Sequence, residues 1–167
     1  MDGVSIPEGA RGAALAGVWT HRLKIIPTVG GPVLHMLRSD GPLFAGFGEI
    51  YFSEVEPGAI KGWKRHREQS QTFAVPVGRI EFVLYDGRDA SPSFGAVEHF
   101  VLGRPDEYKL LHIPPGLWYA FAGRSETPSL IANLADMPHR PDESERLPID
   151  SPGDSPGALK IPYRWKL

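Results

Sequence analysis

Glycine and proline interrupt this chain at short intervals, so only short secondary-structure elements fit between them. The 167 residues include 19 glycines and 17 prolines, and these are spread along the chain. Both residue types favour turns and weaken helix interiors, and no segment has the pattern of a long helix. Short apolar segments separated by turn signals are typical of an all-β sandwich or barrel.

Ten segments between these turns are strand-like, and they predict one domain in a chain of this length. They are Leu23–Ile26, Val33–Leu37, Phe47–Val55, Ala59–His66, Thr72–Val77, Ile80–Tyr85, Val97–Leu102, Tyr108–Ile113, Trp118–Ala122 and Ser129–Leu134. We expect residues 1–20 to form a weakly held N-terminal arm and residues 21–137 to form the barrel. Residues 138–167 are expected to pack on the barrel as an irregular segment, anchored by Tyr163 and Trp165.

Composition excludes several functional classes. The charges are nearly balanced, with 18 basic and 20 acidic side chains, whereas nucleic-acid-binding proteins carry clustered lysine and arginine. No apolar run is long enough to cross a bilayer, and the N-terminus lacks the pattern of a secretory signal. The absence of cysteine excludes disulfides and fits a reducing compartment. We therefore expect a cytoplasmic enzyme or binding module with neither a nucleic-acid nor a membrane partner.

Two spaced motifs specify the barrel more closely. Their residues are Gly58, Lys64, His66, Gln71 and Gly78 in the first, and Pro114, Gly116 and Tyr119 in the second. In spacing and in glycines they resemble the two motifs of cupins, and the resemblance implies a double-stranded β-helix, also called a jelly-roll barrel. The positions of the cupin metal ligands hold Lys64, His66, Gln71 and Tyr119.

This set of side chains argues against a catalytic metal. A divalent ion in such a barrel needs several imidazole or carboxylate ligands at once. The ammonium group of Lys64 would repel the ion beside the single imidazole of His66. We predict no bound metal and no cofactor.

The same residues predict a polar cavity. Lys64 and His66 are two apart in a predicted strand, so both side chains point to one face. If that face is the barrel interior, Tyr119 on a neighbouring strand points to the same cavity. The alternative is that Lys64 faces solvent and His66 is a structural hydrogen-bonding residue. The motif spacing favours the cavity.

Three stretches resemble the dTDP-4-dehydrorhamnose 3,5-epimerase family of nucleotide-sugar cupins. They are Gly58 to His66, similar to Gly-Val-x-Arg-Gly-Leu-His-Tyr-Gln; Asp86 to Gly95, similar to Asp-x-Arg-x-x-Ser-Pro-Thr-Phe-Gly; and Ile113 to Phe121, similar to Ile-Pro-x-Gly-Phe-Ala-His-Gly-Phe. The resemblance implies a dimer with exchanged strands, a 4-keto sugar nucleotide as ligand and catalysis without a metal.

The family's reaction moves protons next to a ketone. A base removes a carbon-bound proton, an enolate forms, and an acid returns a proton to the other face, while a cation stabilises the enolate oxygen. The resemblance places the family's histidine base at Lys64, its tyrosine acid at His139, a second tyrosine at Asn133, an arginine at Lys61 and a lysine at Gln71. It places the carboxylate that orients the family's histidine beyond the end of this chain.

A related branch, the dTDP-sugar 3,4-ketoisomerases, has a second histidine that aligns with His66. On this basis His66 is predicted as the base, Tyr119 or His139 as the acid, and Lys64 as a group that stabilises the enolate or binds phosphate. Lys64 as base is the alternative, and it requires a pKa several units below about 10.4.

Candidate substrate contacts complete the prediction. Lys61, Arg38 and Arg22 are candidates for the diphosphate, and Gln71 and Asn133 for polar contacts. Trp118 either stacks on the nucleotide base or fills the core. Three functions follow: an epimerase or ketoisomerase, a non-catalytic cupin that binds a sugar nucleotide, and a metal-dependent cupin enzyme, which Lys64, Gln71 and Tyr119 disfavour.

Overall fold

The computed structural model describes residues 6–149 and 159–166, and its regular secondary structure there consists of β-strands. The strands are β1 Arg11–Gly12, β2 Trp19–Arg22, β3 Ile25–Ile26, β4 Val33–Leu34, β5 Glu49–Val55, β6 Ile60–His66, β7 Gln71–Val77, β8 Arg79–Tyr85, β9 Val97–Gly103, β10 Lys109–Ile113, β11 Trp118–Gly123, β12 Ser129–Ala135 and β13 Ser144–Arg146. The predicted all-β class is confirmed. Across the same residues the protein forms no helix with the length and hydropathy that crossing a bilayer requires.

The strands form two large antiparallel sheets. The six-stranded sheet has the order β1-β2-β10-β7-β12-β5, and the five-stranded sheet has the order β13-β6-β11-β8-β9. Strands β3 and β4 form a separate hairpin. Strands that are distant in sequence are neighbours in both sheets, as in a jelly roll.

The main core lies between the two sheets. Phe73 and Ile131 of the six-stranded sheet and Phe82 and Leu84 of the five-stranded sheet belong to one buried cluster. Their neighbours in the strands point to the outer faces, because side chains alternate along a strand. The barrel interior is thus apolar except where the site described below interrupts it.

The C-terminal segment covers the outer face of the five-stranded sheet. Ile161 is buried there with Trp63 and Trp118, and Tyr163 and Trp165 pack against them. The ring centroids of Trp63 and Tyr163 are 6.3 Å apart. These contacts join Tyr163 and Trp165 to the outer face of the five-stranded sheet.

The N-terminal boundary is a correction to the sequence prediction. Leu15 and Val18 are buried in the main core, and β2 pairs with β10 inside the six-stranded sheet. Residues 11–20 therefore belong to the barrel and not to a weakly held arm. The stretch is rich in glycine and alanine, so the sequence did not reveal that its two larger apolar side chains point inward.

A loop between β8 and β9 holds this N-terminal stretch in place. The carboxylate of Asp86 is buried and accepts hydrogen bonds from Arg88, Ser91 and Ser93. These donors hold the pKa of Asp86 well below its usual value, although burial alone would raise it. Arg88 and Ser93 in turn bond the backbone of Ala16. The long motif from Asp86 to Gly95 is thus a structural element.

Candidate active site

A β-bulge in β6 turns two lysines into the barrel. Lys64 is paired with Tyr119 and Lys61 with Phe121, so Gly62 and Trp63 together lie opposite Ala120. Gly62 has φ 124°, and a Cβ atom there would lie 2.7 Å from the Cα of Ala120. Only glycine fits this close approach, and the bulge brings side chains three residues apart to the same cavity.

The cavity lies between the two sheets and has a volume of about 230 Å³. This volume is slightly below the range of about 300–1,000 Å³ that is typical of small-molecule sites, so the cavity would enclose part of such a ligand. The residues that line it include three cations and no carboxylate: Tyr51, Ser53, Lys61, Gly62, Trp63, Lys64, Phe73, Tyr119, Phe121, Ile131, Asn133 and Arg146. A cavity of this charge favours an anionic ligand.

A buried chain of three polar groups ends at this cavity. The Nε2 atom of His66 lies 3.2 Å from the hydroxyl of Tyr119, and its Nδ1 atom lies 2.6 Å from a carboxylate oxygen of Glu143. All three residues are buried, and Tyr119 is the member that lines the cavity. His66 therefore does not line the cavity itself and is connected to it by the hydroxyl of Tyr119.

The ionisation states fix the direction of these hydrogen bonds. Burial lowers the pKa of His66 despite its bond to Glu143, whereas the pKa of Glu143 is lowered by its hydrogen bonds to two backbone amides and to His66, which outweigh its burial. A neutral imidazole beside a carboxylate carries its proton on Nδ1, so Nε2 is an acceptor. Burial also raises the pKa of Tyr119 well above its usual value, so its hydroxyl donates to Nε2.

Glu143 is held rigidly from behind. Its second carboxylate oxygen accepts hydrogen bonds from the backbone amides of Glu68, at 3.0 Å, and Gln69, at 2.8 Å. The sequence analysis predicted no orienting carboxylate for His66, and Glu143 is such a group. Glu143 precedes β13, a strand that the sequence analysis missed because it is short and lies in a charged segment.

Two cations lie side by side next to the series Glu143, His66 and Tyr119. Lys64 and Arg146 are direct partners across β6 and β13, and both line the cavity. Among residues 6–149 and 159–166, neither forms an ion pair or a side-chain hydrogen bond. Burial, and then the positive charge of Arg146, lower the pKa of Lys64. Like charges placed opposite each other in a sheet are destabilising, so this pair calls for an anionic partner.

The opposite wall of the cavity carries a second phenol. Tyr51 of β5 and Asn133 of β12 are register partners, and the Asn133 amide nitrogen lies 2.6 Å from the Tyr51 hydroxyl. The same nitrogen lies 2.5 Å from the carbonyl oxygen of Gln71, whose own amide donates to Gln69. Gln71 thus lies behind Asn133 and supports it.

The structure brings most of the predicted site residues together. Lys61, Lys64, Tyr119 and Asn133 line the cavity, with His66 and Gln71 directly behind them. Lys61 lies in its exposed part, where its ammonium donates to the backbone carbonyl of Glu54 at 2.5 Å.

Three predicted residues lie elsewhere. Trp118 alternates with Tyr119 and is buried on the outer face of β11, so it does not line the cavity. Arg38 is exposed in a loop and forms an ion pair with Asp40 at 2.5 Å. His139 is exposed and does not line the cavity, although a positive charge there would lower the pKa of His66.

The sequence analysis missed Glu143, Arg146 and Tyr51. Glu143 precedes the three-residue strand β13 and Arg146 is its last residue, and their positions become meaningful only when β13 pairs with β6. Tyr51 alternates with Ile50 and Phe52 in β5, and alternation alone would have assigned those two apolar residues to the core and Tyr51 to the outer face. No three histidine, aspartate or glutamate side chains within residues 6–149 and 159–166 are grouped as metal ligands.

Comparisons with known proteins find relatives that cover most of the chain. No protein-family model matches the chain. The probable low-salt glycan biosynthesis epimerase Agl13 of Haloferax volcanii is 36% identical over 126 residues, which cover 72% of this chain and 79% of that protein. The crystal structure of a dTDP sugar isomerase from Desulfovibrio desulfuricans is 57% identical with a TM-score of 0.82, and the match covers 83% of this chain and 88% of that chain.

A more distant structure shares the fold alone. The dTDP-4-dehydrorhamnose 3,5-epimerase of Elizabethkingia anophelis is 16% identical with a TM-score of 0.70, over 83% of this chain and 79% of that chain. The jelly-roll fold and the relatives together identify the chain as an isomerase of the cupin class. The chain belongs to the dTDP-4-dehydrorhamnose 3,5-epimerase family of nucleotide-sugar cupins, as a divergent member.

Proposed function

We propose that this protein epimerises a carbon next to the ketone of a 4-keto sugar nucleotide, by proton transfer without a metal. The observation that carries the proposal is the buried series Glu143, His66 and Tyr119, which ends at a cavity lined by cations. A base beside uncompensated positive charge is the combination that enolate formation requires.

Tyr119 is the group that removes the proton. Its oxygen takes the proton from carbon while its own hydrogen passes to Nε2 of His66, and the electron pair of the C–H bond moves to the ketone oxygen. The carboxylate of Glu143 stabilises the imidazolium that forms. This is the division of roles found in nucleophile–histidine–carboxylate triads, with a phenol in place of the nucleophile. His66 keeps its predicted role as proton acceptor, but acts through Tyr119.

Lys64 and Arg146 stabilise the enolate oxygen. They lie on the same wall as Tyr119, and Lys64 is its direct strand partner. Preorganised cations act strongly where water is excluded, and removal of one such donor costs about 10²–10³-fold in rate. Lys61 lies in the exposed part of the cavity and is the candidate for the diphosphate.

The relatives support the substrate class. The dTDP sugar isomerase from Desulfovibrio desulfuricans and the glycan biosynthesis epimerase of Haloferax volcanii are named for activated or polymerised sugars. The net positive cavity is compatible with a nucleoside diphosphate. We keep dTDP as the first nucleotide to test.

We further propose that the protein is a homodimer. Phe47, Ile50 and Phe52 are 64%, 47% and 62% exposed, and the last two lie on the outer face of β5. Because β5 is an edge strand, this apolar surface and the unpaired edge are contiguous. A second copy of the chain is the partner that the family resemblance implies. A cytoplasmic location stays a prediction.

A 3,4-ketoisomerase is the second candidate function. Tyr119 and His66 lie on one wall and are joined by a hydrogen bond, so a proton taken from carbon on that side has a short path back to the same side. Movement of the keto group can proceed by such a transfer on one side, whereas epimerisation requires delivery to the other face. Identification of the product by NMR separates the two.

Solvent exchange tests the proposal. The full chain is incubated in D2O with a dTDP-4-keto-6-deoxyhexose, and deuterium at the carbons next to the ketone is followed by NMR and mass spectrometry. We expect incorporation together with a new epimer, and none with dTDP-glucose, which has no ketone. Binding of the keto sugar nucleotide without any exchange would instead identify a non-catalytic binding protein.

A further inference from the structure

Epimerisation needs a proton donor on the face opposite the base. Tyr119 belongs to the five-stranded sheet, and Tyr51 belongs to the six-stranded sheet across the cavity. A sugar ring between the two sheets would present one face to each phenol. The two hydroxyls are near enough for Tyr51 to add to the effect of burial in raising the pKa of Tyr119.

We infer that Tyr51 is the catalytic acid that protonates the enolate on the face opposite Tyr119. The inference rests on the proposed function, because it names the second proton-transfer group of the same reaction. Tyr51 is a cavity-lining phenol whose hydroxyl has one hydrogen-bond partner, Asn133, among the residues that the structure describes, and this partner does not use the hydroxyl hydrogen.

The hydrogen bonds around Asn133 determine where that hydrogen points. The carbonyl oxygen of Gln71 is an acceptor, because the Gln71 amide nitrogen donates to Gln69 at 2.6 Å. Asn133 must therefore direct its amide nitrogen, which carries two hydrogens, to both Gln71 and Tyr51. The Tyr51 oxygen accepts this bond, so its own hydrogen is free to point into the cavity.

The two phenols have opposite polarity. Tyr119 donates its hydrogen to His66 and presents oxygen lone pairs to the cavity, as a base does. Tyr51 accepts from Asn133 and presents its hydrogen, as an acid does. Burial raises the pKa of Tyr51, which keeps the phenol protonated at neutral pH. The bonds from Glu143 through His66 thus make Tyr119 a proton acceptor toward the cavity. The bonds from Gln71 through Asn133 make Tyr51 a proton donor.

The proton-transfer step is balanced. The O–H bond of Tyr51 breaks as a C–H bond forms on the ring, and the enolate electrons return to give the ketone. The remaining phenolate is stabilised by the Asn133 amide and regains a proton from water, since Tyr51 is only partly buried. Other candidate acids are poorly placed: Lys64 lies on the wall of Tyr119, and His139 does not line the cavity.

The test separates inversion from exchange in Tyr51→Phe. In D2O with a dTDP-4-keto-6-deoxyhexose, we expect inversion to fall about 10²–10⁴-fold, the usual contribution of a general acid. Deuterium should still enter the unchanged epimer, because Tyr119 and His66 remain, so the ratio of exchange to inversion rises at least about tenfold. Tyr108→Phe is the matched control, since that phenol bonds the backbone of His35 outside the cavity. It should leave the ratio unchanged.

Asn133→Asp gives a second test that keeps the phenol. A carboxylate at this position accepts the Tyr51 hydrogen and turns it away from the cavity, so inversion should again fall more than exchange. Circular dichroism and a thermal melt verify that each variant is folded.

Three results would overturn the assignment of Tyr51: wild-type inversion by Tyr51→Phe, an equal loss of exchange and inversion in that variant, or wild-type inversion by Asn133→Asp. Failure of the wild-type protein to exchange any proton would instead contradict the proposed function. The two failures are therefore distinguishable.

Discussion

The imidazole of His66 lies between the hydroxyl of Tyr119 and the carboxylate of Glu143, at 3.2 Å and 2.6 Å. The three side chains come from β11, β6 and the segment before β13, so the five-stranded sheet assembles the series from strands that are adjacent in space. Only the phenol lines the cavity, and this makes His66 and Glu143 positioning residues for Tyr119.

Replacement of Glu143 by glutamine should invert the polarity of this series. The glutamine oxygen keeps the bonds from the backbone amides of Glu68 and Gln69, and its NH2 group then donates to Nδ1 of His66. The imidazole proton moves to Nε2, which no longer accepts the Tyr119 proton. We expect kcat to fall about 10²–10⁴-fold with little change in KM, because a histidine held in the wrong tautomer cannot act as base. Steady-state kinetics measure both constants.

Glu145→Gln is the control for this variant. Glu145 is two residues away and pairs with Arg65 and Arg67 on the outer face. Its substitution should leave kcat within about twofold, as expected of an exposed or partly exposed ion pair. A Glu143→Gln variant with wild-type kcat would remove the carboxylate from the mechanism.

The pH dependence of kcat/KM should report the neutral form of His66. Burial lowers the pKa of His66 below 6.5, with the positive charge of Lys64 acting in the same direction. The imidazole accepts a proton only when neutral, so activity is retained above this pKa and decreases about tenfold per unit below it. We therefore expect an acidic limb centred below pH 6.5 in a pH–rate profile.

Lys64→Met provides an internal comparison for that profile. Removal of the ammonium group eliminates one cause of the low pKa, so the acidic limb should move to higher pH. His99→Gln, which alters an exposed histidine near Glu81, should not move it. If the acidic limb stays at the same pH in Lys64→Met, it does not report the ionisation of His66.

The sequence predicted the strands of the barrel well because the turn signals are strong. Gly78, with φ 76°, joins β7 to β8, and a Cβ atom there would lie 2.2 Å from Ser129 Oγ. Three strands were missed, β1, β2 and β13. Strands β2 and β13 depend on pairing with the distant strands β10 and β6, and β1 pairs with β2. Trp19 to Arg22 has no distinctive pattern, and it becomes a strand through its bonds to β10.

Strand alternation and motif spacing were enough to predict one wall of the site. Lys64 and His66 share a face, and the spacing of the second motif brought Tyr119 to it. The family resemblance placed the acid at His139, whereas the acid proposed here, Tyr51, lies on β5. Its position on the wall of the six-stranded sheet follows from the pairing of β5 with β12, which no local pattern of the sequence specifies.

Introduction of a charge into the exposed surface of β5 should separate the proposed dimer. In Phe52→Lys, an ammonium group replaces a ring that is 62% exposed in the single chain. Burial of an unpaired lysine at an interface is costly, so we expect a shift from dimer to monomer in size-exclusion chromatography with light scattering. Phe94→Lys changes a similarly exposed ring outside this surface and should leave the mass unchanged. A wild-type monomer, or a Phe52→Lys dimer, contradicts the proposal.

Neutralisation of Lys64 should reduce activity without reducing stability. In Lys64→Met the ammonium group no longer faces Arg146 across the strands, so a repulsion is removed while the methylene chain is largely retained. The thermal midpoint of the unliganded variant should be equal to or above that of the wild type. Its kcat should fall about 10²–10³-fold, because the enolate oxygen loses one of two cations. Lys61→Met is the matched comparison: it should raise KM more than it lowers kcat, since Lys61 is assigned to the diphosphate and not to the reacting carbon. A marked loss of stability in Lys64→Met would mean that the ammonium group has a structural partner, and equal effects of the two substitutions on kcat would contradict their separate roles.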